Sequence, residues 1–274
     1  TIVIDQIARD RSAMTIARAN QDVMLLLRDG VKVEYRDSKG NSKIERARLM
    51  DWNNPGNNHF LIVSQLWVAG DPYRRRPDLV GFVNGLPLLF IELKAPDQNI
   101  KHAFTDNLRD YKDTISQIFW YNGFVMLSNG SDAKVGSVTA PWEHFCDWKK
   151  INDEKEAGIV DLPTAIRGTC EKTRFMDIIE NFCIFMEAQG GLKKLVAKNH
   201  QYLGVNNSIR AVRESRSNQG RLGVFWHTQG SGKSASMMFF SQKVLRKIPG
   251  NWTFLIVTDR TELDNQIYES FQNA

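Results

Sequence analysis

Several features that would restrict the class of protein are scarce or missing in this chain of 274 residues. Cysteine occurs three times, at Cys146, Cys170 and Cys183, with no CxxC pair and no partnering histidine cluster, so neither a disulfide framework nor a zinc site is predicted. The apolar runs, such as residues 24–27 and 86–91, are far shorter than the ~20 residues of a membrane-spanning helix. Internal repeats and low-complexity tracts are also missing. These absences favour a globular, cytoplasmic protein with no membrane partner.

Composition and length indicate a globular chain with one or two domains. Hydrophobic residues make up 42% and charged residues 24%, which is ordinary globular composition. The length suggests two domains, or one domain and part of another. The chain begins with Thr1 and carries no basic-then-apolar signal, so we expect a fragment that has lost upstream residues. The net charge of +5 and the pI near 9.1 permit a nucleic-acid partner without establishing one.

Hydrophobic spacing predicts a helix followed by strands at the start of the chain. Apolar residues recur with a helical period through residues 14–27, and the alternation VKVEY after Gly30 is typical of a strand. Residues 51–58, DWNNPGNN, predict a surface loop because Asn, Pro and Gly favour turns. Strands are predicted to resume at residues 60–68.

The second half of the chain has a different pattern. After a polar run, helical spacing predicts a connecting amphipathic helix at a domain boundary, with apolar positions at Phe175, Ile178, Ile179, Phe182 and Phe185. From about residue 200 the predicted order is helix, strand (222–226), Gly-rich loop, helix and strand (253–257). This alternation builds a parallel sheet.

The segment 74–96, RRRPDLVGFVNGLPLLFIELKAP, predicts a β-hairpin. Its turn is Asn84-Gly85, since both positions tolerate the positive φ of a two-residue primed turn. Folding about that turn brings Asp78 close to Glu92, and Glu92 and Lys94 share a face because strand side chains alternate.

The register of this hairpin decides whether the three charged groups converge. A strict two-residue turn pairs Asp78 with Ile91 and directs the Asp78 side chain to the face opposite Glu92. We therefore predict a bulge, at Gly81, or a bend at Asp78. Pro87 cannot donate to a ladder, which indicates an outer position or a bulge at that point.

Two carboxylates and a lysine at one point of a sheet suit phosphodiester hydrolysis. The oxygens of Asp78 and Glu92 can hold Mg²⁺, which prefers oxygen ligands and keeps water and phosphate positions open. Lys94 could orient or deprotonate the attacking water, or neutralise charge on the scissile phosphate. Phosphate contacts are also predicted for the preceding arginines, Arg74, Arg75 and Arg76. The alternatives are a buried strand that ends in surface charges, and a solvated arginine loop.

Pro77-Asp78 followed by Glu92-Leu93-Lys94 resembles the core of PD-(D/E)xK nucleases. The longer string VNGLPLLFIELK resembles the N-terminal nuclease domain of type I restriction enzyme R subunits. In that family a helix after the core carries a QxxxY motif, which Asn107 and Tyr111 match here as NxxxY, with an amide arm shorter by one methylene. The resemblance implies a contact to DNA or to the active site, and a solvated helix face is the alternative. No residue is matched to the acidic residue that related nucleases carry on an upstream helix.

The string WHTQGSGKS, residues 226–234, has the residue types of a phosphate-binding loop between a predicted strand and a predicted helix. Its glycines let backbone N–H groups approach phosphates, its lysine reaches the β and γ phosphates, and the last hydroxyl can ligate Mg²⁺. Nucleotide contacts are predicted for Gly230, Ser231, Gly232, Lys233 and Ser234. The alternative is a Gly-rich strand-to-helix turn, because the strict pattern GxxxxGK[ST] has glycine where His227 stands.

This loop resembles the first ATPase motif of superfamily 2 helicases, and His227-Thr228 is a variant seen in type I restriction motors. The string IVTDRTELDNQ resembles the next helicase motif, which implies contacts from Thr258 and Arg260 to the DNA backbone. The string NHQY resembles an adenine-reading segment, in which Gln201 presents a donor and an acceptor that match the adenine edge. An ordinary surface glutamine is the alternative at that position.

These features together predict an α/β protein in three parts. A PD-(D/E)xK nuclease-like mixed sheet flanked by helices is predicted over residues 1–150, a helical connector over 151–198, and the truncated beginning of a parallel-sheet RecA-like ATPase domain over 199–274. The resemblance implies that the DExH motif and the second RecA-like domain lie beyond Ala274. We therefore expect this fragment to bind ATP poorly and to hydrolyse little of it.

The resemblance further implies the restriction subunit of a type I restriction-modification complex in a bacterial or archaeal cytoplasm. Mg²⁺-dependent cleavage of both DNA strands would be coupled to ATP-driven translocation of the DNA. The implied partners are double-stranded DNA and the methyltransferase (M) and specificity (S) subunits, since nothing in the chain reads bases. Two alternatives stay open: a solitary superfamily 2 helicase-nuclease that ignores methylation, and a non-catalytic DNA-binding module.

Overall fold

The computed structural model describes residues 2–70, 72–259 and 261–272. The chain divides into two compact units, Thr1–Phe145 and Cys146–Ala274. The predicted end of the nuclease-like domain, at residue 150, lies just after this division.

The first unit combines helices with short strands. A π-helical turn, Ala103–Leu108, runs directly into α3, and single 3₁₀ turns occur at Pro55–Asn57, Ser116–Trp120 and Trp142–His144. The helices and strands in chain order are α1 Ile2–Ile7, α2 Ile16–Asp29, β1 Val31–Arg36, β2 Ser42–Ala47, β3 Phe60–Ser64, β4 Val68–Ala69, β5 Arg74–Arg75, β6 Leu79–Val83, β7 Leu86–Leu93, α3 Arg109–Thr114, β8 Phe124–Ser128 and β9 Ala133–Gly136.

The predicted N-terminal helix and the strand after it are confirmed as α2 and β1. The Thr15 hydroxyl accepts a hydrogen bond from the Arg18 N–H (3.3 Å) and caps the first turn of α2. Gly30, at φ +78°, ends the helix, a conformation that glycine adopts without steric cost. The buried Asn20 amide donates to the carbonyl oxygens of Phe119, Trp120 and Asn122. These bonds fix α2 against the chain segment that precedes β8.

Five strands of the first unit form a mixed sheet in the order β9-β8-β7-β6-β3. β7 and β8 are parallel, and the other neighbouring pairs are antiparallel. The apolar run of β7 is buried because Phe90 packs against Tyr111 and Phe119 from the helical segments, in one cluster with Val80 and Val125. The mixed sheet flanked by helices that the sequence predicts is therefore confirmed.

The second unit is largely helical. Its core includes Phe182, whose ring packs against the rings of Tyr202 (4.8 Å) and Phe239 (5.7 Å). Among the residues described, no helix has the length and apolar character needed to cross a membrane. The elements are β10 Cys146–Asp147, α4 Leu162–Thr169, α5 Lys172–Asn181, β11 Cys183–Ala188, β12 Gly191–Val196, α6 Asn199–Arg213, α7 Lys233–Lys247 and α8 Thr261–Gln272.

The predicted helical connector is only partly helical. The helix α5 ends at Asn181, and Phe185 lies instead in the antiparallel hairpin β11–β12. Ala188 pairs with Gly191, and Gly190 and Gly191 both have positive φ. Apolar residues three positions apart, such as Phe182 and Phe185, fit a helix. The tight glycine turn allows the chain after Phe182 to form two paired strands instead.

The prediction of two β-strands around the phosphate-binding loop is wrong. Residues 222–226 and 253–257 belong to no strand among the residues described. Val224 is 93% exposed and Leu255 is 87% exposed. Parallel strands need neighbouring strands to satisfy their backbone groups and cover their side chains, and no such neighbour lies beside these two described segments.

Candidate active site and phosphate-binding loop

A β-bulge sets the register of the hairpin that carries the predicted catalytic residues. The turn at Asn84 (φ +50°) and Gly85 (φ +83°) is the predicted two-residue type, and Phe82 pairs with Pro87. The next pair joins Gly81 to Leu89, so β7 contains one extra residue at this point, Leu88. The predicted bulge at Gly81 is confirmed.

The shifted register places Asp78 opposite Glu92 and not opposite Ile91. Leu79 pairs with Ile91, and the position before Leu79 therefore lies across from Glu92, on the same face of the sheet. A Cβ atom at Gly81 would lie 2.9 Å from the Leu89 Cβ, so glycine is the residue that lets the strands approach here. Without the bulge, the two carboxylates would point to opposite faces.

Asp78 is held in place by two hydrogen-bond donors. Its Oδ1 accepts from the Gln65 side-chain amide (2.9 Å), and its Oδ2 accepts from the Leu93 backbone N–H (2.9 Å). The Gln65 N–H also donates to the Asp78 carbonyl oxygen (2.8 Å). Gln65 follows β3 directly, and no sequence pattern singles it out. Only the pairing of β3 with β6 shows that it reaches the carboxylate.

Glu92 is a buried carboxylate with one free oxygen. Its side chain is 2% exposed, and its Oε1 accepts hydrogen bonds from the Asn107 amide and the Tyr111 hydroxyl (3.3 Å). Its Oε2 is buried and has no hydrogen-bond partner. Burial, together with the negative charge of Asp78 nearby, raises the pKa of Glu92 from its usual 4.5 to about 7. Glu92 therefore changes its protonation state near neutral pH.

Asn107 bridges the lysine and the glutamate. Its Oδ1 accepts a hydrogen bond from the Lys94 Nζ (2.5 Å), and its amide nitrogen donates to Glu92. Tyr111 lies one helical turn later and reaches the same carboxylate, while burial raises the pKa of its phenol to about 12 and keeps it protonated. The shorter amide arm of the NxxxY segment therefore still reaches the site. The Lys94 backbone N–H donates to the Ser128 carbonyl (2.8 Å) and extends the pairing of β7 with β8.

The residues present fit a divalent cation. Two carboxylates face each other, burial and then the charge of Asp78 raise the pKa of Glu92, and the Glu92 Oε2 lacks a partner. A bound cation would offset the charge repulsion and supply a partner for this oxygen. Within the described part of the chain, no group of three or more His, Cys, Asp or Glu side chains could hold a metal. Asp78 and Glu92 would hold an ion at this site, and water or phosphate would complete its shell, as is common for Mg²⁺.

The three arginines before Asp78 have different environments. Arg75 donates to both carboxylate oxygens of Asp110 on α3, and this pairing lowers the pKa of Asp110. The predicted phosphate contact from Arg75 therefore competes with an internal ion pair that links β5 to α3. Arg74 and Arg76 are exposed.

The phosphate-binding loop precedes α7, which begins at Lys233. Gly230 (φ +78°) and Gly232 (φ +85°) have positive φ, which glycine adopts without steric cost. The Lys233 Nζ donates to the carbonyl oxygens of His227 (3.0 Å) and Thr228 (3.1 Å), so the lysine spans its own loop. Ser234 is half-buried in the first turn of α7.

Gln201 contacts the same loop. Its side-chain nitrogen donates to the Gly232 carbonyl (2.9 Å), and its oxygen accepts from the Lys198 N–H (2.9 Å). A Cβ atom at Gly232 would lie 2.7 Å from this nitrogen, so glycine is needed for the contact. In this conformation both ends of the predicted adenine-reading amide are bonded to the protein itself.

His227 occupies the position at which the strict loop pattern has glycine. Its Nε2 donates to the Glu154 carboxylate (3.0 Å), and its ring packs edge-on against His200 (4.8 Å) and Phe225 (4.4 Å). The His200 ring in turn donates to the Ser231 carbonyl (3.1 Å). Sequence reasoning missed Glu154 and His200, because both lie far from the loop in the chain.

The predicted DNA contacts after the loop are described only in part. Thr258 is half-buried near the end of a segment without regular secondary structure. Arg260 lies outside the described residues.

Comparison with known proteins gives two family matches. Residues 2–144 match the family described as type I restriction enzyme R protein N terminus (HSDR_N), and residues 200–274 match the SWI2/SNF2 ATPase family. The second match covers the loop and the helices on either side of it.

Individual relatives give the same result. The chain is 38% identical over 267 residues to the type I restriction enzyme HindI endonuclease subunit of Haemophilus influenzae, an alignment that covers 93% of this chain and 25% of the relative. It is 26% identical over 265 residues to the type I restriction enzyme SsaAORF53P endonuclease subunit of Staphylococcus saprophyticus, with 93% and 25% coverage. The chain thus spans about a quarter of the length of these relatives. Since the R protein family matches residues 2–144 and the Haemophilus influenzae relative is 38% identical over 93% of the chain, the chain belongs to the type I restriction enzyme R proteins and corresponds to their N-terminal part.

Proposed function

We propose that the first unit is the Mg²⁺-dependent DNA endonuclease of a type I restriction enzyme. The observation that carries this proposal is the bulge in β7, which brings Asp78 and Glu92 to one face with Lys94 beside them. The unpartnered Oε2 of Glu92 supports a cation at this place. The family match and the names of the relatives, which are endonuclease subunits, agree with it.

Each side chain of the site has a separate role in phosphodiester hydrolysis. When bound, Mg²⁺ supplies positive charge that neutralises the scissile phosphate. Gln65 and the Leu93 N–H hold Asp78 in position, so that its carboxylate needs no reorganisation when DNA arrives. Glu92 gives up its proton near neutral pH and then presents an anionic carboxylate. Tyr111, which stays protonated, donates to that carboxylate.

Lys94 is the group that acts on the reacting atoms. Its ammonium can orient the attacking water or donate to the oxygens of the scissile phosphate as negative charge develops there. Asn107 accepts a hydrogen bond from the Lys94 Nζ and donates to Glu92, so it fixes the ammonium at a set place relative to the carboxylates. We assign Lys94 a catalytic role and Asn107 a positioning role.

We further propose that residues 199–274 begin a RecA-like motor that uses ATP to translocate DNA. The left-handed glycines, the helix that starts at Lys233 and the SWI2/SNF2 ATPase match support this. The Lys233 ammonium now bonds two loop carbonyls, and the phosphates of ATP would compete for it. Ser234 would contribute a hydroxyl to Mg²⁺, Gln201 would read adenine after it leaves the loop carbonyls, and Thr258 and Arg260 would contact the DNA backbone.

The complete enzyme would work in a bacterial or archaeal cytoplasm with M and S subunits, which choose the DNA sequence. The test uses the complete R subunit assembled with M and S on unmethylated and methylated plasmid, with and without ATP. Wild type is compared with Lys94→Ala, Lys233→Ala and the control Lys101→Ala, an exposed lysine seven residues after Lys94. We expect cleavage of unmethylated plasmid with ATP, loss of cleavage with ATPase retained in Lys94→Ala, and loss of both in Lys233→Ala.

Each other result contradicts a specific part of the proposal. Cleavage that survives in Lys94→Ala would place the active site elsewhere. Cleavage by Lys233→Ala without ATP would refute the coupling to the motor. Cleavage that ignores methylation and needs no M or S subunit would indicate a solitary helicase-nuclease. DNA binding without Mg²⁺-dependent cleavage in the wild type would indicate a non-catalytic binding module.

A further inference from the structure

Two exposed aromatic residues, Trp67 and Tyr73, directly precede the two strands of a short pair that lies shortly before Asp78 in the chain. β4 and β5 pair Val68 with Arg75 and Ala69 with Arg74. We call residues 66–70 and 72–76 the aromatic ribbon. Trp67 is 64% exposed and Tyr73 is 58% exposed, while no other Phe, Trp or Tyr side chain described in the first unit is more than 40% exposed. Large rings left in water at one place indicate a contact surface.

Each ring of the aromatic ribbon has an arginine on one side. The Arg76 guanidinium lies 5.3 Å from the centre of the Trp67 ring, and the Arg75 guanidinium lies 5.1 Å from the centre of the Tyr73 ring. The bonds from Arg75 to Asp110 fix the second of these arginines in place. Because both rings are more than half exposed, each keeps surface open for a partner, next to a positive charge.

Both ends of the aromatic ribbon are attached to the proposed metal ligand. At one end, Gln65 bonds the Asp78 side chain (2.9 Å) and its carbonyl oxygen (2.8 Å). At the other end, Arg76 is two residues from Asp78, a span of at most ~7 Å. A ligand on the Trp67 ring, which is two residues from Gln65, would therefore lie close to the cation site.

An open apolar groove adjoins the first ring. It has a volume of about 470 Å³, within the ~300–1,000 Å³ range of small-ligand sites. Its walls include Trp67, Phe82, Pro87 and Trp120. The Gln117 amide closes one side by donating to the Ala69 carbonyl (2.6 Å). The groove offers an apolar surface to a flat ring that leaves water.

The chemistry of these features selects one kind of partner. The ligand must have a flat, polarisable face that can stack on an aromatic ring. It must also carry negative charge close to that face, where Arg74 and Arg76 can reach it. A nucleotide does this, with its base and its phosphate. In a duplex, both faces of every base are covered by stacking, so only an unpaired base can present its face. We propose that the aromatic ribbon is a subsite for unpaired bases of the DNA strand that enters the Asp78 site; this inference rests on the proposed function of that site.

The test measures binding and not cleavage. The full chain, without divalent cations, is titrated into a fluorescein-labelled mixed-sequence single strand and, separately, into the matching duplex. The variants are Trp67→Ala, Tyr73→Ala, the aromatic replacements Trp67→Phe and Tyr73→Phe, and the control Tyr35→Ala, an exposed ring on β1 of the same unit. We expect each ribbon alanine to weaken single-strand binding about tenfold, as the loss of one stacked base does, with little change for the duplex. The phenylalanine variants and the control should bind as wild type does.

Two results overturn this inference while the proposed function stands. One is single-strand binding by both alanine variants equal to that of wild type. The other is an equal loss for single strand and duplex, which would indicate a general electrostatic surface or a disturbed fold. If wild type binds neither form of DNA, the proposed function itself fails, and this result is distinct from both of the others.

Discussion

Glu92→Gln should change the way stability depends on pH. Glu92 has a folded-state pKa of about 7 against a usual value of 4.5, so the folded chain holds a proton that the unfolded chain releases. Between these two values stability falls as pH rises, because the folded state binds more protons there. The stabilisation is fully present below about pH 4.5 and is lost as pH rises through about 7. Glutamine has no such proton, and its contribution stays constant.

The size of the effect follows from these two pKa values. Between about pH 5 and about pH 8, wild type should lose about 2 to 3 kcal/mol of unfolding free energy relative to Glu92→Gln. The 2% exposure of Glu92 means that solvent screening does not reduce this figure much. Steric differences between glutamate and glutamine cancel, because the comparison is between two pH values for the same pair of proteins.

Urea unfolding followed by tryptophan fluorescence measures this difference. Adding Mg²⁺ at about pH 8 should stabilise wild type more than Glu92→Gln, because the variant keeps only the Asp78 carboxylate at the site. Parallel pH dependence of the two proteins would refute the reasoning, since it would mean that Glu92 titrates as an ordinary surface glutamate. A Mg²⁺ response in the glutamine variant equal to that of wild type would show that the cation binds elsewhere.

Three further substitutions test the environment of the site. Asn107→Ala should slow single-turnover plasmid cleavage about 10- to 100-fold, because it removes a hydrogen bond that orients Lys94. The control Asp113→Ala, at an exposed position of the same helical segment, should leave the rate unchanged. Gln65→Ala should weaken Ca²⁺ or Mg²⁺ affinity about tenfold in calorimetric titration, and unchanged affinity would deny its role in holding Asp78. Gly81→Ala should lower the free energy of unfolding by about 1 to 3 kcal/mol, because its Cβ has no room beside β7, while Gly56→Ala, which meets nothing within 4 Å, should change it little.

Much of the first unit could be predicted because its turn and its bulge depend on residues that are close together in the chain. The Asn84-Gly85 turn fixes the hairpin, and the need to bring Asp78 and Glu92 to one face implies a bulge from the residue spacing alone. The phosphate-binding loop is also a local pattern, in which glycine conformation and the start of a helix follow from adjacent residues. In each case the residues that interact are close in the chain or are related by a single turn.

The features that sequence reasoning missed depend on distant residues. Gln65 reaches Asp78 only because β3 pairs with β6, and Arg75 reaches Asp110 across 35 positions of chain. The strands predicted at 222–226 and 253–257 were wrong for a related reason. Hydrophobic periodicity describes the segment alone, and it carries no information on whether another strand lies beside it.

The extra residue in β7 has a consequence for how relatives of this chain should be compared. Leu88 contributes no chemistry, yet its presence decides which face Asp78 occupies. A relative that retained every acidic and basic residue but had one residue fewer between the turn and the glutamate would fold a similar hairpin with its carboxylates separated. The length of this strand, and not only the identity of its charged residues, therefore marks which relatives can keep the proposed pair of Asp78 and Glu92 on one face. An alignment that closes a one-residue gap here to improve identity would erase that marker.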